Sequence, residues 1–189
     1  MLCIKKPDDE TLRRFLAQCA REGLSYDPTT LAKASGGFNV DEERIILGYG
    51  PAVFTKACTC LRSWQHFAFP WLFIYPPDLT IAPDATVVVA VRYLGLWWLN
   101  GCRIVRVISD EADCWGFAYG TLWAHAESGE ESFIVAIQPG NRLVTYHIRA
   151  VSRPRALVAR LGYPFTRALQ SRFRRDSEAA MERATAGGV

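Results

Sequence analysis

One carboxylate stands in a strand pattern where a purely structural sheet would carry an apolar residue. Glu131 has the same parity as Phe133 and Val135 in the run 131–138, and alternate residues of a strand point to the same face. If the two apolar side chains point inward, Glu131 enters the apolar face, where burial raises the pKa of a carboxyl group and fits it for general acid or base chemistry. The alternative is that Glu131 lies at the end of its strand and reaches water or pairs with an arginine.

A histidine lies shortly before this carboxylate in the sequence. His125 falls in the loop between two predicted strands, near Glu127, Glu130 and Glu131. An imidazole beside carboxylates is a simple way to build a proton-transfer pair. The alternative is a histidine in a polar surface loop, which is common.

A tyrosine shares one face of its predicted strand with two other aromatic residues. Tyr119 has the parity of Trp115 and Phe117, whereas the opposite face carries only glycine and alanine. The phenol is a candidate donor to a developing oxyanion, and the alternative is a core tyrosine bonded to backbone. The bare face leaves room for a helix, another backbone or a ligand. We predict Glu131, His125 and Tyr119 as catalytic residues.

Other residues at unusual places are candidate ligand contacts. Arg92 ends an apolar strand and Arg153 begins the last predicted helix, so either is a candidate to bind a ligand carboxylate or phosphate or to pair with Glu131, and we expect the internal pair for one of them. A predicted turn holds two adjacent tryptophans, which face opposite ways if they are extended, so at least one is a lid, an anchor or a partner contact unless both simply pack. The predicted ligand-binding residues are Arg92, Trp97, Trp98, Asn100, Trp115, Phe117, Phe133, Tyr146 and Arg153.

The elements that must position these residues begin with two helices. Asp8 can cap the first helix, and Pro51 occupies the first position of the second. The segment 25–39, rich in Thr, Ser, Gly and Pro, is predicted to be a long loop, and 44–47 a short strand.

An antiparallel meander follows the helices. Turn-rich separators let neighbouring strands pair as hairpins, and clean alternation in the last strand indicates one buried and one wet face. The run 71–75 suits a strand or an extended segment. The other predicted strands are 86–92, 102–109, 115–122, 131–138 and 143–151.

A long arginine-rich helix is predicted after the meander. Ser152 can cap it and Pro154 lies in its first turn. Gly162 and Pro164 should kink it. Its apolar stripe can lie on the sheet, and its arginines form a solvated face, with contact to phosphate or anionic lipid as the alternative. The tail 184–189 is expected to be frayed and disordered.

Composition bounds the class of protein. A chain of 189 residues, half of them apolar, fits one domain, since it can bury roughly 70% of its unfolded surface around one core. The net charge of +3 argues against a protein devoted to nucleic acid. Scattered cysteines and histidines and the lack of a nucleotide fingerprint predict neither metal nor cofactor. Without a signal peptide pattern or a run of about 18 apolar residues, we expect no transmembrane segment and a cytoplasmic, reducing compartment.

The order helix, helix, antiparallel meander, long C-terminal helix predicts an α+β fold of the helix-grip type. In such a fold a curved antiparallel sheet, here of about six strands, wraps the last helix and encloses an apolar cavity. Several strings also resemble the DUF1990 family, also called UPF0548. They are LGLWWLN at 94–100, GFAYGTL at 116–122 followed by His125, SRP at 152–154 and QSRF at 170–173.

The resemblance is imperfect where the family tends to read LPGHPE, because this chain reads LWAHAE at 122–127. It implies a single domain over the whole chain that is distantly similar to helix-grip lipid-binding and cyclase proteins. It lends no established chemistry.

Three functions follow as hypotheses. The first is an enzyme that works by proton transfer, without metal or nucleotide, to cyclise, isomerise or hydrate an apolar small molecule in the cavity. The second is a non-catalytic carrier or sensor of an apolar ligand. The third is a peripheral adaptor that binds an anionic surface through the arginine face. The sequence carries no signal for a particular ligand or oligomeric state.

Overall fold

The computed structural model describes residues 1–32, 37–110, 113–155 and 163–186. Two capping signals in the sequence begin helices as expected. The Asp8 side chain accepts a hydrogen bond from the backbone N–H of Thr11 at 2.9 Å, and Pro51 is the first residue of its helix. In chain order the elements are β1 Leu2–Cys3, α1 Asp9–Cys19, α2 Pro28–Ala32, β2 Asn39–Tyr49, α3 Pro51–Arg62, a 3-10 helix Gln65–Phe67, β3 Leu72–Tyr75, β4 Thr86–Tyr93, β5 Leu96–Asp110, β6 Cys114–Thr121, β7 Glu127–Ile137, β8 Leu143–Pro154 and α4 Tyr163–Thr185.

All strands of the described chain join one curved sheet in the order β2-β8-β7-β6-β5-β4-β3, with β1 added beside β5. Every pairing is antiparallel. The sheet has eight strands rather than about six, because β1 and β2 lie in segments where the pattern predicted little or no strand. The helix-grip fold class is confirmed, since the sheet wraps the C-terminal helix α4.

Both faces of the sheet are covered. On the concave face α3, the 3-10 helix and α4 pack against β6, β7 and β8 to form the main core. On the other face α1 packs through Leu12, Phe15 and Cys19. The bare glycine and alanine face of β6 turns to this second side, where a Cβ added to Gly120 would collide with the hydroxyl of Tyr26. The predicted room is therefore filled by another part of the chain.

Four predictions about the elements differ from the structure. The supposed loop 25–39 contains α2, and β2 spans Asn39–Tyr49 instead of four residues because it pairs with β8 along its whole length. Ser152 and Pro154 do not begin the last helix, since they lie in β8 opposite residues of β7. The expected tail is helical as far as Thr185, and residues 187–189 lie outside the described residues.

The expected kink near Pro164 lies at the edge of what is described, because α4 starts at Tyr163 and Gly162 is outside the described residues. Within the described residues, no helix combines the length and the apolar character that crossing a membrane requires.

The β4–β5 turn is shorter than expected. Leu94 and Gly95 both have positive φ, of 51° and 80°, as in a two-residue hairpin turn of type I′. Trp97, Trp98 and Asn100 consequently lie in β5 and not in a turn. As adjacent strand residues the two tryptophans do face opposite ways, one into each layer of the fold.

Candidate functional site

A cavity of about 340 Å³ lies between α4 and the concave face of the sheet. Its apolar wall includes Phe67, Trp71, Val91, Leu169 and Phe173. Its polar wall is built by β6, β7 and the loop between them. The volume is at the lower end of the range of about 300–1,000 Å³ typical of small-molecule sites.

Glu131 lies on the polar wall of this cavity. The strand parity holds, because Phe133 and Val135 on the same face are fully buried in the main core. Burial raises the pKa of Glu131 from 4.5 to about 7, the hydrogen bond from Tyr119 lowers it, and the nearby Glu127 adds to the rise. The carboxyl group therefore exchanges a proton near neutral pH, as a general acid or base must.

Tyr119 also lines the cavity and is bound to Glu131. The two residues face each other across β6 and β7, and the phenol donates a hydrogen bond of 2.5 Å to Oε2 of Glu131. Burial, reinforced by the Glu131 charge, raises the pKa of Tyr119 well above its ordinary value. The phenol is thus a permanent donor that stabilises the ionised carboxylate.

His125 reaches the same cavity from the loop between β6 and β7. Its Nδ1 accepts a hydrogen bond of 2.9 Å from the backbone N–H of Glu127, so the neutral ring carries its proton on Nε2. Burial lowers the pKa of His125 to about 4. The imidazole therefore stays neutral at pH 7, and it is fitted to donate a hydrogen bond rather than to carry a proton.

Glu127 is a second carboxylate on the cavity wall, and the sequence did not predict it as a site residue. Gln170 on α4 donates to both of its oxygens, at 2.8 and 3.1 Å. Burial raises the pKa of Glu127, while the Gln170 hydrogen bond lowers it. Strand parity is the signal that could have found it. If the predicted strand 131–138 is extended back to residue 127, through residues that are typical of a turn, Glu127 and Glu131 lie on the same face.

Two of the predicted binding residues of β5 meet the cavity. Trp98 and Asn100 both line it. The Oδ1 of Asn100 is 3.4 Å from the N–H of Ala126, so this amide helps to hold the loop that carries His125.

Four predicted lining residues lie beside the cavity, in a part of the concave face that is packed solid. Phe117 and Phe133 lie 5.3 Å apart between ring centroids, and His66 covers Phe133 at 5.0 Å. Tyr146 is fully buried and its hydroxyl is 2.9 Å from Ser177 Oγ. We call this region the filled half; its sheet residues are Trp115, Phe117, Phe133 and Tyr146. The cavity region around Tyr119 and Glu131 is called the open half.

The remaining predicted contacts lie away from the cavity. Arg92 is exposed and borders a groove on the outer side of the sheet, together with Trp97. Arg153 is exposed with its guanidinium 4.6 Å from the ring of Phe38. The predicted ion pair of Glu131 with one of these arginines is wrong, because the partner of Glu131 is the Tyr119 phenol.

The arginine face of the last helix is partly occupied by ion pairs. Arg167 donates to both oxygens of Asp41 on β2, one bond measuring 2.6 Å, and this hydrogen bonding lowers the pKa of Asp41. Arg174 lies 3.1 Å from a Glu43 oxygen and also lines the cavity. Through these ion pairs the two arginines hold α4 against β2 and keep it over the open half.

Within the described ranges, no group of three His, Cys, Asp or Glu side chains is placed to hold a metal ion. The polar residues that line the cavity include the glutamates Glu127, Glu130 and Glu131, the neutral His125, Tyr119, Arg174 and the amides Asn100 and Gln170.

Comparison with known proteins identifies the family. The family described as "Domain of unknown function (DUF1990)" matches residues 25–180. A UPF0548 protein of Dictyostelium discoideum is 30% identical over 94% of this chain and 92% of its own length. A UPF0548 protein of Deinococcus radiodurans is 28% identical over 91% of this chain and 92% of its own.

Solved structures of low sequence identity share the fold. Hypothetical protein jhp0584 from Helicobacter pylori has a TM-score of 0.56 at 13% identity, covering 86% of this chain and 96% of that one. The di-domain ARO/CYC BexL from the BE-7585A biosynthetic pathway has a TM-score of 0.53 at 13% identity, covering 85% of this chain and 54% of that one. These likenesses concern the fold alone.

Proposed function

Because the chain belongs to the DUF1990 family, a domain of unknown function, we propose its activity from the cavity itself: an enzyme that performs acid–base chemistry on a small, mainly apolar molecule. One observation carries the proposal. Glu131, with a pKa of about 7, lies in an aromatic-lined cavity and is bound by a phenol at 2.5 Å. A carboxyl group with a strongly shifted pKa in a cleft is a candidate functional residue.

The proposed step is a proton transfer at the substrate, as in an isomerisation or cyclisation. The Glu131 carboxylate removes a proton from an acidic C–H or O–H group, and the carboxylic acid so formed returns that proton at another atom of the same molecule. No net oxidation or reduction occurs. The Tyr119 hydrogen bond stabilises the ionised state from which the first transfer begins.

His125 has a different proposed part. A neutral imidazole with its proton on Nε2 can donate to a carbonyl or enolate oxygen as negative charge develops there. Its lowered pKa supports this arrangement because a neutral donor keeps its proton through the reaction. We infer that the substrate carries an oxygen function at one end and an apolar body that packs on Phe67, Trp71 and Phe173.

A non-catalytic carrier of an apolar ligand is the alternative in the same cavity. It is favoured because polar groups of the cavity wall already form hydrogen bonds with one another: Gln170 donates to Glu127, and the backbone N–H of Glu127 donates to His125.

We further propose that the protein acts in a reducing, cytoplasm-like compartment, which the free state of the six cysteines supports.

Isotope exchange separates the enzyme from the carrier. The molecule that co-purifies with the protein from its own host would be identified by native mass spectrometry, then incubated in D₂O with wild-type protein, Glu131→Gln or Glu182→Gln. An enzyme of the proposed kind incorporates deuterium at carbon with wild-type protein and with the exposed control Glu182→Gln. Exchange should fall by at least about 100-fold with Glu131→Gln. Binding without exchange in the wild type would establish the carrier instead.

A further inference from the structure

A second concave surface lies beside the cavity, on the outer side of the β4–β5 hairpin. Its groove is bordered by Lys5, Lys6, Arg92 and Gly95. Leu94, between Arg92 and Gly95 at the tip of the hairpin, lines the cavity on the other side. The hairpin thus separates the groove from the cavity, and the two share one edge of the molecule.

Positive charge on this surface is not matched by ion pairs. Lys5, Lys6 and Arg92 are exposed, and none of them forms an ion pair with any residue that the structure describes. The closest acidic residues in sequence are engaged elsewhere. Asp8 caps α1, and Asp9 pairs with Arg13 at 2.7 Å.

Exposed aliphatic side chains lie among these cations. Ile4 is 82% exposed and Leu94 is 78% exposed. An anion dissolved in water gains nothing from aliphatic side chains next to the cations that bind it. A bilayer interface binds both kinds of side chain, because acyl chains accept the aliphatic groups and anionic headgroups attract the cations.

We propose that Ile4, Lys5, Lys6, Arg92 and Leu94 form a docking face for anionic membrane surfaces. Docking here sets the hairpin edge of the cavity against the bilayer, from which an apolar ligand can enter without crossing water. The arginines of α4 are a poorer candidate, because Arg167 and Arg174 are committed to carboxylates of β2. The proposal concerns binding alone and does not depend on the proposed chemistry.

Vesicle sedimentation tests the docking face with matched charge reversals. Purified protein would be mixed with phosphatidylcholine vesicles with or without phosphatidylserine, at low and high salt. Lys5→Glu/Lys6→Glu would be compared with Arg175→Glu/Arg183→Glu, which changes the net charge equally on exposed positions of α4. Leu94→Asn would test the apolar contribution, because asparagine accepts the left-handed conformation found there. Circular dichroism melts would show that each variant is folded.

We expect wild-type protein to bind the anionic vesicles and to dissociate at high salt. The lysine reversal should lower the partition coefficient by at least about 20-fold, and the arginine reversal by less than about 3-fold, since each basic residue at the surface contributes separately. Leu94→Asn should lower it by roughly 5-fold. No binding at low salt, equal effects of the two reversals, or release by inorganic phosphate at constant ionic strength would each overturn the docking face.

Discussion

The filled half and the open half of the concave face share the strands β6 and β7, yet they differ in chemistry. In the filled half, Phe117 and Phe133 are covered by Trp64, His66 and the helix α4. In the open half, Tyr119 and Glu131 line the cavity. The reach of the 3-10 helix decides the difference, because His66 and Phe67 both pack on Phe133 in the filled half, whereas only Phe67 extends to the cavity wall.

The two halves of the concave face therefore differ in how closely their side chains are packed. Close packing in the filled half supplies the stability of the domain. The open half keeps a cavity and, on its wall, carboxyl groups whose pKa is raised by burial; both weaken the folded state unless a ligand or a hydrogen bond offsets them. Such a division is typical of proteins in which a site is carried by a rigid scaffold.

The largest expected effect is on packing in the filled half. Phe133→Ala should lower the free energy of unfolding by about 3–5 kcal/mol, because a fully buried ring is removed from a region that cannot collapse. Leu169→Ala on the cavity wall is the counterpart in the open half, and its loss should be near the low end of the range, about 2 kcal/mol. Urea denaturation measures both, and equal losses would show that the two halves are packed alike.

The next effect is the pH dependence that Glu131 imposes. Its folded pKa of about 7 lies above its ordinary value of 4.5, so the neutral group favours the folded state. The contribution is complete below pH 4.5 and is lost as pH rises through 7. At about 1.4 kcal/mol per pKa unit, the loss is at most about 3 kcal/mol.

Glu131→Gln should remove this dependence. Urea denaturation at pH 5 and pH 8 would give the change in the free energy of unfolding between the two pH values for wild type and for the variant. Subtracting one change from the other removes the contribution of titrating groups that both proteins contain. A wild-type protein whose stability falls no more than that of Glu131→Gln over this interval would mean that the carboxyl group is solvated.

A smaller effect is expected at the ion pair that fastens α4 over the open half. Arg167→Ala should lower the free energy of unfolding by about 1–2 kcal/mol, because Asp41 is left partly buried without its bidentate partner. Hydrogen bonding from Arg167 lowers the pKa of Asp41, so the wild-type contribution is present above the ordinary Asp pKa and is lost as pH falls through the lowered one.

The control for this variant is Arg175→Ala, which removes an exposed arginine from the same helix and should change stability by less than about 0.5 kcal/mol. Thermal melts at pH 7 and at acidic pH provide the comparison. Equal melting temperatures for the two variants at pH 7 would show that the ion pair contributes nothing to stability.

Strand parity could be predicted from the sequence, and it accounts for the part of the site that was foreseen. Glu131 and Tyr119 lie on the concave face because their alternating neighbours are apolar, and antiparallel pairing then sets them opposite each other. Parity does not say how far along a face the covering helices reach. For this reason Phe117 and Phe133 were predicted as lining although they belong to the filled half.

The misplaced residues have local causes. Leu94 occupies a left-handed turn position at which asparagine or glycine is the usual signal, so the short hairpin was not recognised and Trp97 and Arg92 were assigned to the cavity. Glu127 was missed because Ser128 and Gly129 are typical of a turn. In the structure they lie in β7, where pairing with β8 overrides that preference.

The smallest expected effect lies in the hydrogen bond between the two residues of the open half. Tyr119→Phe removes a donor that stabilises the ionised form of Glu131, so the pKa of Glu131 should rise further, by about 1 unit, as expected for a hydrogen bond to a charged group. Carbon-13 NMR of glutamate-labelled protein would follow the titration, with Glu131→Gln assigning the resonance. Phe117→Leu in the filled half is the matched control, and it should leave this pKa unchanged because its ring is not bonded to the carboxyl group. A Glu131 pKa that falls in Tyr119→Phe would mean that the phenol oxygen accepts a hydrogen bond from the protonated carboxyl group, and the roles of donor and acceptor in the open half would then be reversed.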